Sequence, residues 1–413
     1  MAKEGWDDHD RSHRTAAYDF AKNALLSCED DGILIANGDN DTFPVWYCQE
    51  VESIKNSVRI INSALANSFW HIQPLFRQVY ASKPLNFTLS FDQYGQGVND
   101  YAYLQNGPEN KSVELASCLR YMANNPRAQV MTRDGEKISV FPTRNVKVTV
   151  PIEKMLANGQ MTEDQAARCL PELQWQIKKT DALYRVDIAL LDILASNLAT
   201  RPFYVMSAHA QSDVLPLPHL AQMEGNVYRL VPYLNDNRRA TVDNGINTDK
   251  TYDLYVNRFR WGNLNDPKTA IDPESAAYSR TVRYQYITLA QALLYEGKRD
   301  SAVAALDRSL YFFPHEQVPF DEVMIYHMDA YLQAGALDKA AALAQTLCRI
   351  YADRLHYVER FPLRFQNSIQ GERYHCLEAM ATMEHLLNPY VGQEPDLRPC
   401  LDICQNTLQP YGY

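Results

Sequence analysis

No apolar run in the 413 residues approaches the roughly 20 needed to cross a bilayer. The best candidate, residues 188–195, is short and carries Asp192, so it reads as a core helix. Positive charge is also scarce. The 40 Lys and Arg face 50 Asp and Glu, a formal net charge of -10, and no basic stripe is present. That disfavours a nucleic-acid binder, which would neutralise phosphates with clustered cations. The polar, acidic residues 1–10 are no signal peptide. The eight cysteines are scattered without a CxxC pair, and the ten histidines show no HExxH or comparable zinc spacing. A nucleophile–base signature is missing as well. A chain this long needs no disulfide framework, and Cys400 and Cys404, on one helix face, read as core.

What is present is ordinary globular material. Hydrophobic residues make up 46 % and charged residues 22 %, which argues against long disorder and allows two or three domains. The chain opens almost directly on a dense motif, so a fragment of a longer protein is expected.

The densest local signal is Gly38-Asp39-Asn40-Asp41-Thr42-Phe43-Pro44, directly after Ile33-Leu34-Ile35-Ala36. A short apolar run ending in Gly and an Asp/Asn cluster predicts a buried strand feeding a loop. Thr42 can cap a following helix over 43–53, with Pro44 in its first turn. Open α/β sheets place ligand groups at such carboxyl ends of strands. Asp39 and Asp41 could hold a divalent cation, a hydroxyl-rich ligand or a cationic partner. The plain alternative is a turn that needs Asp and Asn for its backbone geometry.

The pattern predicts an α/β fold followed by an all-α one. Residues 1–234 read as an α/β domain with partly parallel strands, made of a βαβα core over 12–91 and an irregular α+β part over 92–234. In the core, a helix over 12–27, a strand over 33–37, the 43–53 helix, a strand over 58–62 and a helix over 69–80 alternate, with an edge strand over 85–91. In the irregular part, 111–124 reads as a helix, 129–140 as a hairpin, 145–150 as a strand, 179–197 as a helix, and 201–205 and 224–232 as strands. Thr162 can cap a short helix. Residues 235–274 read as a connection. Residues 275–413 are helical and fit the tetratricopeptide pattern through Tyr286, Leu289, Ala290, Gly297, Ala302, Ser309 and Pro314, with a weaker copy around Gly335, an insertion at 315–320, and a divergent third pair. Repeats of this kind stack into a groove for a protein or peptide.

The first helix should run antiparallel to strand 33–37. That would bring Asp8, His9, Asp10 and Arg11 beside Asp39, Asn40 and Asp41. Asn62 and Ser63 end the second strand, and Asn67, Trp70 and His71 follow it, while Trp46 lies on the 43–53 helix. One rim of the sheet thus gathers carboxylates, an imidazole, amides and aromatic faces, a mixture suited to a sugar, a divalent cation or a polar peptide. The structural alternatives are an acidic complement to a helix N-terminus and core tryptophans.

Several longer motifs bear a family resemblance. They are Asp7-Asp8-His9-Asp10-Arg11-Ser12, Gly38 to Pro44 with Trp46-Tyr47-x-Gln49-Glu50-Val51-Glu52, Val58-Arg59, and Trp70. Further along come Leu190-Leu191-Asp192-Ile193, Asn197, Arg201-Pro202-x-Tyr204 and Glu224-Gly225-x-x-Tyr228-Arg229-Leu230-Val231-Pro232. Together they resemble a bacterial family of multi-spanning membrane proteins related to transmembrane protein O-mannosyltransferases. The resemblance implies that this chain is the soluble C-terminal region of such a protein, facing the periplasm at the inner membrane. The catalytic acid would lie in a membrane part outside it. The chain would then be an accessory region without catalytic residues or cofactor of its own. Its expected partners are the parent's membrane domain, a protein or peptide in the repeat groove, and a glycan. The sequence departs from the family at Phe69-Trp70-His71, where an aspartate-Trp-Tyr run is common, and at Lys55-Asn56-Ser57, so no family role is carried over there. Two other readings stand beside this one. One is a stand-alone carbohydrate- or metal-binding enzyme using the Asp39/Asp41 rim. The other is a helical-repeat scaffold.

Overall fold

The computed structural model describes residues 13–109, 111–131, 133, 135–235 and 244–411. Strand formation follows the apolar runs. Ile33–Ala36 (β1) and Arg59–Asn62 (β2) pair in parallel. They are followed by Tyr101–Leu104 (β3), Val113–Glu114 (β4), Gln129–Met131 (β5), Lys137–Phe141 (β6), Asn145–Thr149 (β7), Glu172–Gln176 (β8) and Ala182–Tyr184 (β9). Phe203–Val205 (β10), Ala221–Glu224 (β11) and Val227–Leu230 (β12) complete the strands of the described residues. The principal sheet has the order β11-β12-β10-β1-β2, with β1 parallel to both β2 and β10. Two smaller sheets, β5-β6-β3-β9 and β4-β7-β8, come from the segment between β2 and β10.

Both faces of the principal sheet are covered, as a parallel core requires. Successive residues alternate between the two faces. Ile33, Ile35, Ile61, Phe203 and Val205 enter one apolar cluster with helix Arg185–Asn197. Leu34, Ala36, Ile60 and Tyr204 enter the other with helices Ala16–Ser27 and Asp39–Glu50. The chain leaves β1 toward β2 and leaves β10 toward β11 and β12. The carboxyl ends of β1 and β10 therefore flank a point where the strand order reverses, the place open sheets offer to ligands.

Several expected elements differ in form. The helix expected over 43–53 starts at Asp39, because the Thr42 amide already makes a helical bond to the Gly38 carbonyl at 3.0 Å. Pro44 therefore sits inside the helix and Thr42 is not its cap. The helix expected over 69–80 stops at Ile72 and passes into a 3-10 turn, Gln73–Phe76, containing Pro74. No strand forms over 85–91. Side chains of helix Arg185–Asn197 take its backbone bonds: Asn197 accepts from the Asn86 amide, and Asp192 accepts from those of Thr88 and Leu89. The helix expected from 179 is strand β9 first and begins at Arg185. The 129–140 hairpin is present as antiparallel β5 and β6, and Thr162 caps Glu163–Ala167 in a capping box with Gln165. The segment read as a connection contains helix Thr248–Tyr252.

The described chain divides into two compact units, Ala17–Leu254 with Arg258–Gly262, and residues 263–411 with Tyr255–Asn257 and residues 13–16. The second unit is all helical: Pro273–Tyr295, Arg299–Phe312, Val323–Ala334, Leu337–Glu359, Leu363–Leu387 and Arg398–Leu408 are joined by short connections. Asp272 caps the first of these and Pro273 occupies its first turn. Gly297 and Gly335 turn the chain between paired helices with φ of 77° and 82°, a conformation that suits glycine. Small buried side chains at Ala290, Ala302 and Ser309 fit close helix approach. The 315–320 insertion is anchored by buried Arg283, which donates to the carbonyls of Phe313, Val318 and Pro319. No helix of the described residues is long and apolar enough to cross a membrane.

Candidate functional site

Asp39, Asn40 and Asp41 form the first turn of helix Asp39–Glu50, where negative charge complements the helix dipole. With Gly38 they line an open depression of about 540 Å³ at the carboxyl end of β1. Asp39 and Asn40 are exposed and Asp41 is half-buried. Asp41 Oδ2 accepts from the Asn37 amide at 3.3 Å. Burial raises the Asp41 carboxyl above its ordinary value, and that hydrogen bond only partly offsets the effect. The turn thus presents carboxylates in unlike surroundings, one in water and one partly withdrawn from it.

A chain of hydrogen bonds joins this turn to the end of β2. The Thr42 hydroxyl donates to the Gly38 carbonyl at 2.7 Å and accepts from Asn62 Nδ2 at 2.9 Å. Asn62 Oδ1 accepts from the Leu65 amide at 2.9 Å, and the Asn62 amide donates to His71 Nε2 at 3.0 Å. Asn62 is fully buried, and its amide group serves this network. Because Nε2 accepts, neutral His71 carries its proton on Nδ1. Burial pushes the imidazole down to about 4, so it stays neutral at physiological pH. Its ring lies 6.1 Å from that of Trp46 and 5.6 Å from that of Trp70, the latter edge-on. Trp46 in turn lies 5.6 Å from Phe43. The rim is therefore acidic at the end of β1 and aromatic beside β2.

The remaining charged motif residues are committed to the scaffold. Arg59 donates to the carbonyls of Pro74, Arg77, Ser82 and Lys83 and to the Ser82 hydroxyl. Arg201 donates to the carbonyls of Asp31, Ser57 and Lys83 and to that same hydroxyl. Asp192 also accepts from the Tyr94 hydroxyl at 2.9 Å. Burial alone would raise the Glu224 carboxyl, but Arg229 and Lys250 outweigh burial and hold it below its ordinary value. Lys250 Nζ lies 2.5 Å and Arg229 Nη1 3.6 Å from it. Gly225 turns between β11 and β12 at φ 62°, and a Cβ there would meet Ser27 Oγ at 2.4 Å.

Of the residues expected on the rim, Asp39, Asn40, Asp41, Trp46, Asn62 and Trp70 fall along the ends of β1 and β2. Asp8, His9, Asp10 and Arg11 lie outside the described residues. Two further residues line a groove along β2: Glu50, named above only within a family motif, and Tyr80, which the sequence analysis does not single out. The Tyr80 hydroxyl donates to the Glu50 carboxylate across the helix flank. No local signal marks Tyr80, because the 77–89 stretch has no periodicity and its shape is imposed by Arg59 and Arg201.

The family model of the TMEM260-associated domain 2 matches residues 17–250. Comparison with curated proteins and with solved structures finds no match.

Proposed function

Because the chain belongs to the family of the TMEM260-associated domain 2, we propose that it is a non-catalytic accessory module of a membrane glycosyltransferase of the protein O-mannosyltransferase type. In this reading it lies on the periplasmic face of the inner membrane, beside the membrane domain of its parent protein, and takes part in recognising an acceptor or partner protein. The family match carries the proposal. The placement of the motif charges supports it: Arg59, Asp192, Arg201, Glu224 and Arg229 are occupied by loop backbones and by one another. Among the described motif residues, the acidic Asp39 and the aromatic Phe43, Tyr47 and Trp70 are the ones turned outward beside the end of β1 and along β2. The helical unit fits a tetratricopeptide-like array, with left-handed glycines between paired helices and small residues at their contacts. Such an array offers a groove to a protein or peptide.

The test is cell fractionation with an epitope placed after Tyr413. The proposal expects the epitope in the inner-membrane fraction and protease access to it only after the outer membrane is opened. A cytosolic epitope, protected in spheroplasts, contradicts it. The helical scaffold or an enzyme using the Asp39/Asp41 rim would then take its place.

A further inference from the structure

Beside the acidic turn, but distinct from it, a groove of about 220 Å³ runs along β2, the edge strand of the principal sheet. Its walls include Trp46, Trp70, His71 and Tyr80, with Glu50 at the side and Arg59 among its lining residues. The aromatic walls are not parallel to one another. Trp46 is tilted 38° and Trp70 85° from the plane of the His71 ring between them. Trp70 is 57 % and Tyr80 54 % exposed, so large apolar faces stand in water at a concave place. We infer that this groove binds one pyranose ring of a glycan, with the ring's C–H face against the aromatic walls and its hydroxyls toward Glu50 and His71.

The groove carries no charge excess that calls for an ion. Arg59 is a buried cation in the lining, but it already donates to the carbonyls of Pro74, Arg77, Ser82 and Lys83 and to the Ser82 hydroxyl, and Glu50 opposes it with one carboxylate. Glu50 supplies acceptors and the Nδ1–H of His71, whose Nε2 is taken by the Asn62 amide, is a donor, and a hydroxyl can serve either kind. Tyr80 holds the outer wall through its hydrogen bond to Glu50. The inference rests on the reading of this rim as a recognition surface, but not on the membrane placement.

The test is NMR of the indole N–H groups in the full chain, titrated with methyl α-glucopyranoside, methyl α-galactopyranoside and methyl α-mannopyranoside. Tetramethylammonium and inorganic phosphate serve as cationic and anionic probes. At least one pyranoside should shift the Trp46 and Trp70 resonances saturably. Trp70→Ala should weaken that binding by about tenfold and Glu50→Gln by a few-fold, with melting temperatures unchanged. If no pyranoside shifts these resonances, or if only tetramethylammonium or phosphate does, the inference is overturned. Pyranoside binding by a chain that fractionates with the cytosol would keep this inference and remove the membrane reading. A membrane-bound chain that ignores all three sugars would do the reverse.

Discussion

Arg59 and Arg201 meet on a single hydroxyl: Ser82 Oγ accepts from Arg59 Nε at 3.1 Å and from Arg201 Nη2 at 3.0 Å. Both guanidiniums are buried, and burial together with the charge of Arg201 pulls Arg59 down to about 10. Backbone carbonyls from the 74–83 segment supply most of their other acceptors. These two side chains thus hold together a loop whose own regular structure is a short 3-10 turn and a Val79–Ser82 bridge.

Arg59→Ala should therefore be severe. It strips the carbonyls of Pro74, Arg77, Ser82 and Lys83 of a buried donor and leaves Arg201 without its neighbour's support. A loss of about 3 kcal/mol or more is expected from equilibrium urea unfolding, because breaking a buried charged network leaves its partners unsatisfied. A loss below about 0.5 kcal/mol, the range of ordinary surface substitutions, would show that the loop holds without it.

Gly225→Ala should also destabilise the chain, by about 2 kcal/mol or more, since positive φ and overpacking act together. The added methyl would meet Ser27 Oγ at 2.4 Å and Leu254 Cδ1 at 2.7 Å. The decisive reading is the melting temperature beside that of Gly297→Ala. Gly297 shares a positive φ of 77° but has nothing within 4 Å of its Cβ position. Gly225→Ala should be the worse of the two. Equal losses would mean that packing at the β11–β12 turn contributes nothing.

His71 predicts a pH dependence with a definite sign. Its folded value of about 4 lies below the ordinary 6.5, so between these limits the unfolded chain binds the extra proton. The stability this group contributes is complete above pH 6.5 and is lost as the pH falls toward 4. Raised carboxyls such as Asp41 and Asp192 work in the opposite direction. The quantity to measure is therefore the difference between wild type and His71→Gln in urea unfolding. Wild type should lose stability relative to the variant by about 2–3 kcal/mol from pH 7 to pH 4. A pH-independent difference would contradict a buried neutral imidazole.

At the acidic turn, burial raises Asp41, so its ionised form costs stability at neutral pH. Asp41→Asn keeps an acceptor for the Asn37 amide and removes that charge. It should leave the melting temperature at pH 7 unchanged or raise it slightly. If magnesium or calcium raises the melting temperature of the wild type, the same substitution should abolish that rise. A marked loss of stability without metal would overturn this account of the turn.

The parallel core was legible because its strands are short apolar runs with turn residues at fixed places: Ile33 to Ala36 before Gly38, and Phe203 to Val205 after Pro202. The succession of an α/β part and a helical part was equally plain, since from Ser275 onward the apolar residues keep helical spacing, with Gly297 and Gly335 breaking it between helices. The 73–91 segment was not legible. Many of its backbone groups bond to Arg59, Asp192, Asn197 and Arg201, side chains brought there by the fold from as many as 118 residues away. In the groove along β2, Trp46 and Trp70 could be gathered from strand–helix order alone. Tyr80 could not, because only the folded loop carries it to Glu50. The start of helix Asp39–Glu50 was misplaced by four residues because the Thr42 side chain, which looks like a cap, is turned inward to Asn62.

The most direct test of the accessory-module account is to read the source genome upstream of the Met1 codon. The account predicts an open frame running back through several hydrophobic spans, joined to this chain without a stop. A stop codon with a ribosome site just upstream would contradict it, and the rim at Asp39 and Asp41 would then be the first place to look for an activity of the chain's own.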